Sequence, residues 1–123
     1  MMLEEGSYYT RREIHDLLGG EVQTYLPAKD GLVTCACLTL RSNPDAPNTI
    51  LIGQRPRVLE WARRLCVQGG MIPVFIRRAT NEWEYVGKYR VQRCSKKASD
   101  IDKYQRLSGR SNLSMVIYLK NYS

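Results

Sequence analysis

The sequence predicts an α+β fold: a small curled β-sheet or barrel of five or six strands carrying two helices. Three observations predict it. Short runs rich in β-forming residues recur between turn-forming clusters along the 123 residues. Only two stretches combine helical periodicity with capping residues at their ends. Short strands at this density in a 14.2 kDa chain suit a sheet that curls on itself. The length is that of one domain, 1–123, divided into a helical N-terminal segment 1–20 and a barrel 21–123.

The first helix follows from Thr10 and Glu13, spaced as a capping box ahead of Ile14, Leu17 and Leu18; Gly19 and Gly20 stop it. Lys29, Asp30 and Gly31 form a turn. Residues 32–40, LVTCACLTL, read as one well-buried strand. RSNPDAPNT at 41–49 is a rigid loop, and ILI at 50–52 a short strand ending at Gly53. Pro56 suits a first helical turn and Gly69–Gly70 its end. Between them Val58, Trp61, Ala62 and Leu65 share a face, with Arg57 and Arg64 mainly on the other.

The remainder is mostly β. Residues 72–78 form a strand, Thr80 and Asn81 a turn, and residues 83–93 a long strand. Strict alternation there places Trp83, Tyr85, Gly87, Tyr89 and Val91 on one face, with Gly87 marking a bend or bulge. Residues 95–112 are polar and read as an exposed loop; residues 113–119 make the last strand.

Charge narrows the function. Nineteen basic and twelve acidic residues give +7, unevenly spread: residues 1–52 carry −3 and residues 53–123 carry +10. A polyanion is the natural partner of such a surface. Apolar runs fall well short of the roughly 18 residues that span a bilayer, and the N-terminus lacks the apolar core of a secretory signal. The expected location is therefore intracellular: cytoplasm or nucleoid, or the nucleus of a eukaryote. On that ground Cys35, Cys37, Cys66 and Cys94 are expected to be buried thiols. Their spacing, one Cys-Ala-Cys and two distant singles, does not match a zinc site.

The segment PVFIRRATNEWEYVGKYRV at 73–91 resembles the signature of SRA (YDG) domains, in which a P-V-R-V-I-R strand is followed by a turn and an R-Y-D-G-x-Y-x-V strand. Pro73 to Arg77 match the first strand. Tyr85, Val86, Gly87, Tyr89 and Val91 match the second, with Val86 where the family has Asp. ILIG and the helix after it resemble the family's Y-T-G turn and its helix, so the likeness spans roughly residues 31–120. It is similar to the compact prokaryotic versions often linked to HNH nucleases. The resemblance implies a PUA-like barrel that binds double-stranded DNA and flips a modified cytosine, 5-methyl or 5-hydroxymethyl, into a concave pocket. It further implies a specificity module for a restriction or defence system, with a fused or separate nuclease.

Two sets of site residues follow. For the base pocket they are Tyr25, Arg41, Asn43, Asp45, Leu51 and Tyr85. Leu51 stands where the family has its Y-T-G tyrosine, and the family's pocket Asp falls between Ser42 and Asp45. Asn43 and Asp45 have two readings, base-edge recognition or turn chemistry; the aromatics likewise suit a pocket wall or a core. For the DNA backbone the candidates are Arg55 and Arg57 at a helix start, Arg77, Arg78, Lys88 and Arg90 on strands, and Lys96 and Lys97 at the head of the 95–112 loop. No catalytic residue, metal, cofactor, membrane or small-molecule substrate is expected. His15 is the only histidine, and an HNH centre needs more than one. The alternative is a basic PUA-like module that binds RNA or a protein partner.

Overall fold

Alternation along the strands sorts the apolar side chains onto two faces of one sheet, and both faces are covered. The computed structural model describes residues 3–122. In chain order the elements are β1 (Tyr8–Tyr9), α1 (Arg11–Leu18), β2 (Ala28–Lys29), β3 (Leu32–Val33), β4 (Ala36–Leu38), β5 (Thr49–Ile52), α2 (Pro56–Gln68), β6 (Met71–Ala79), β7 (Glu82–Ser95), α3 (Ala98–Ser108) and β8 (Met115–Asn121). The main sheet runs β4-β6-β7-β8-β5, with β1 paired to the start of β7, while β2 and β3 form a separate hairpin. Only the β4–β6 pair is parallel; the others are antiparallel. The result is a nearly closed, barrel-like sheet with three helices. Its edge strands β4 and β5 are not bonded to each other.

The inner face packs Ala36, Leu38, Ile50, Ile52, Val74, Tyr89, Ile117 and Leu119 against Ala62 and Leu65 of α2. On the outer face α1 contributes Ile14 to a cluster with Cys35, Cys37, Phe75, Trp83 and Tyr85. A third cluster joins Leu51 and Val116 to Tyr104 of α3. At roughly 1.5–3 kcal/mol per large apolar side chain removed from water, these faces supply the main drive for folding.

The α1 capping box forms as the sequence requires: Glu13 N–H donates to Thr10 Oγ1 and Thr10 N–H to Glu13 Oε1. Asp30 and Asn81 adopt positive φ in the two tight turns, a conformation that Asx residues tolerate.

Four expectations are corrected. Residues 95–112 are not a loop; they hold α3, which ends on left-handed Gly109. The helix buries one side chain fully, Tyr104, so its sequence is polar almost throughout. The 32–40 strand is broken at Thr34, whose N–H and hydroxyl both donate to Pro27 C=O as the chain changes partner from β2 to β6. The single face expected along 83–91 is split. Val74 pairs with Gly87 but Phe75 with Tyr85, so Val86 is an extra residue, and Gly87 has φ 123°. This bulge reverses side-chain parity, sending Trp83 and Tyr85 outward and Tyr89 inward. Finally, Cys66 of α2 and Cys94 of β7 are joined in a disulfide, while Cys35 and Cys37 are free and buried. Thiols 28 residues apart give no sign in sequence that a helix and a strand will bring them together.

No helix among the described residues is long and apolar enough to cross a membrane.

Two stability predictions follow from this packing. Closing a loop of 28 residues corresponds to about 3–4 kcal/mol of chain entropy. Urea unfolding of a Cys66→Ala/Cys94→Ala variant should register a loss of that order. Asp100 accepts from Ser95 Oγ, from Tyr118 Oη (2.7 Å) and from Arg93 Nη1 (3.4 Å). The Ser95 and Tyr118 hydroxyls, in that order, with Arg93 behind them, hold its carboxyl at about 2. A depressed carboxylate stabilises fully above its unfolded value near 3.9, and the contribution disappears as pH falls through the folded value. Thermal melts should show an acid-side decline between about pH 4 and 2 that is shallower in Asp100→Asn.

Candidate functional site

An open cavity of about 820 Å³ is lined by residues flanking both unbonded edge strands. From the β4 side come Cys37, Thr39, Ser42 and Asn43; from the β5 side come Gly53, Gln54 and Arg55. Arg11 of α1, Val22, Gln23, Tyr25, Val58 of α2, Trp83 and the 109–112 segment after α3 complete the wall. The lining contains three arginines and no carboxylate.

Each arginine is placed by a different device. Arg11 Nη2 donates to the carbonyls of Glu21 (3.1 Å) and Thr24 (2.8 Å), and its guanidinium stands 5.2 Å over the Trp83 ring. Arg110 Nη1 donates to Ser42 C=O and Leu51 C=O, both at 3.1 Å, tying the 109–112 segment to both flanks of the 41–49 loop. Arg55 caps α2 by backbone alone, without a side-chain cap, and is exposed. Among the described residues none of the three takes part in an ion pair, whereas Arg57, Arg78 and Arg93 do. Positive charge is therefore concentrated and unneutralised at the cavity. Burial raises the pKa of Tyr25, with Arg110 and Arg55 opposing it. The phenol remains protonated at neutral pH, its Oη 3.5 Å from Leu51 C=O.

Of the pocket candidates, Tyr25 and Asn43 line the cavity. Asn43 is buried and occupied by its own loop: Leu51 N–H donates to its Oδ1 (2.8 Å), and its Nδ2 reaches Thr39 C=O at 3.4 Å. Asp45 lies elsewhere, accepting from Tyr104 Oη at 3.2 Å. Burial first, and then the Asp45 charge, push that phenol up to about 12. Leu51 turns its side chain into the α3 cluster and offers the site only its carbonyl. Tyr85 packs on Phe75, ring centroids 5.4 Å apart, outside the lining. Arg41 is exposed and also outside it.

Of the backbone candidates only Arg55 reaches the cavity wall. Arg57 pairs with Glu21 (3.3 Å) and Arg78 with Glu84 (2.8 Å). Arg77 donates to Ala79 C=O, and Arg90 stands 5.5 Å over the Tyr122 ring. Lys88, Lys96 and Lys97 are exposed, the last as the N-cap of α3. These residues are spread over α2, β6, β7 and the head of α3 rather than gathered at one spot.

Sequence reasoning missed Arg11 and Arg110. Arg110 sits in a polar stretch where nothing separates it from a solvated charge, and Arg11 had the ordinary look of a helix-start residue. No group of three or more His, Cys, Asp or Glu side chains among the described residues is arranged to hold a metal ion.

A family model described as a domain of unknown function (DUF6697) matches residues 8–113. No curated protein and no solved structure matches the chain.

Asn43→Ala should cost about 1–3 kcal/mol by leaving the buried Leu51 N–H without its acceptor. Chemical denaturation would measure the loss, and Asn43→Asp, which keeps the acceptor oxygen, should recover part of it.

Proposed function

The chain belongs to the DUF6697 family, whose description assigns no activity, and we propose that it is a nucleic-acid reader. It binds duplex DNA with one nucleotide extruded into the cavity. The observation that carries this reading is the lining itself: three unpaired arginines beside two aromatic rings, with no carboxylate. Extruding a base costs a few kcal/mol, which stacking and hydrogen bonding in the receiving pocket must offset. Tyr25 and Trp83 are the flat groups, while Gln23, Thr39, Ser42 and Asn112 are polar groups suited to a base edge. Arg55 stands at the start of α2, whose first turn lacks both a side-chain cap and an acidic residue. Uncapped N–H groups, a positive dipole end and a guanidinium suit a phosphate.

The base we assign is cytosine modified at carbon 5, by methyl or hydroxymethyl. The support for that finer part is the resemblance of residues 73–91 to the SRA signature. On this reading the protein is not itself catalytic; it works inside the cell and lends specificity to a nuclease, fused or separate.

Fluorescence anisotropy at one fixed salt concentration tests both parts. Matched duplexes carry cytosine, 5-methylcytosine or 5-hydroxymethylcytosine at a single position, with single-stranded RNA as competitor. A tenfold preference for a modified duplex, about 1.4 kcal/mol, is expected. Arg55→Ala/Arg57→Ala should weaken all duplexes alike, about tenfold, whereas Tyr25→Ala should reduce the preference. Equal binding to the three duplexes would remove the modified base from the proposal, and better competition by RNA would replace DNA as the ligand.

A further inference from the structure

The Cys-Ala-Cys motif is used by neither the fold's disulfide nor the reading above. Cys35 and Cys37 project to the same face at edge strand β4, within the cluster of Ile14, Phe75, Trp83 and Tyr85. Their sulfurs lie 3.9 Å apart. Buried thiols in apolar surroundings are ordinarily inert. Three features set this pair apart. The thiols face each other, Cys37 forms part of the cavity wall, and Arg11 lines the same wall. The S–H···S contact, with Thr34 and the Arg11 charge behind it, lowers the pKa of Cys35; the same contact, then burial and the Cys35 charge, push Cys37 well up. Two facing thiols, one of which ionises more readily than the other, are the arrangement that an oxidant can close to a disulfide.

We propose that Cys35 and Cys37 are a reversible dithiol–disulfide pair, oxidised by hydroperoxides that enter through the cavity. Cys35, as the thiolate, attacks the terminal peroxide oxygen and the O–O bond breaks. The alcohol (water, for hydrogen peroxide) leaves after taking up a proton, and Cys35 becomes a sulfenic acid. The Cys37 sulfur, losing its proton, then displaces the sulfenic hydroxyl; the S–S bond forms and water leaves. Two thiols are oxidised by two electrons, and one peroxide is reduced. A dithiol reductant reverses the change. Closure brings the sulfurs from 3.9 Å to about 2.05 Å. β4 is suited to that movement, being three residues long and paired with a single strand, β6. Cys37 N–H donates to Tyr25 C=O at 2.9 Å, so the shift is delivered to a segment lining the cavity. This inference is independent of whether the cavity takes a nucleotide.

The test treats the folded protein with hydrogen peroxide, alkylates the remaining thiols after unfolding, and maps tryptic peptides by mass. The peptide spanning residues 30–41 contains both cysteines. It should lose two hydrogens and escape alkylation, and dithiothreitol should restore both thiols. Cys37→Ser should instead trap a dimedone-reactive sulfenic acid at Cys35. Full alkylation of both residues after peroxide treatment would overturn the proposal, as would separate oxidation to sulfinic acids without a 35–37 link. A dimedone adduct at Cys37 in Cys35→Ser, with none at Cys35 in Cys37→Ser, would overturn the assigned order of attack.

Discussion

The extra residue at Val86 is the constraint on which the rest of the structure turns. A regular strand keeps one set of side chains on one face, and β7 is too long for that. Its start pairs with β1 at Trp83 and Glu84 and with β6 as far as Arg90, and its end, from Tyr89, pairs with β8. The bulge lets one strand serve two cores by reversing parity between them. Tyr89 fills the interior beside α2, whereas Trp83 and Tyr85 cover the outside beside α1. Only in that outward position does Trp83 meet Arg11 and become part of the cavity wall.

The cavity is held by side chains that satisfy backbone. Asn43 takes up Leu51 N–H, and Arg110 takes up Ser42 and Leu51 carbonyls. An irregular loop such as 41–49 carries many peptide groups without ladder partners, and each must find one when buried. Those two side chains supply them, and in doing so they bring segments distant in sequence to one place. The arginine brings charge with it, so a structural need and an electrostatic character arise from the same residue.

What the sequence made legible was local. α1, α2, the turns at Asp30 and Asn81, the later strands and the irregularity at Gly87 all follow from capping, turn chemistry and alternation. α3 was hidden because a helix that buries one tyrosine fully has almost no apolar stripe. The Cys66–Cys94 link and the convergence of Arg11 with Arg110 on one cavity are tertiary facts, set by how α2 and the 109–112 segment fold back on the sheet. The site suffered most where residues were transferred by position. Leu51 and Asp45 fall near the expected places, but their side chains serve the α3 contact. Tyr25, a loop aromatic that suits a pocket wall or a core, does both: it lines the cavity and packs on the inner cluster.

The disulfide also gives the chain a topology that its ladder alone does not have. Cys66 and Cys94 enclose the whole β6–β7 hairpin in a covalent ring. The Thr80–Asn81 tip of that ring is exposed. A protease cutting there would open the ring without releasing either half. The nicked protein would remain one molecule, with its long strand pair still in register, until a reductant divided it.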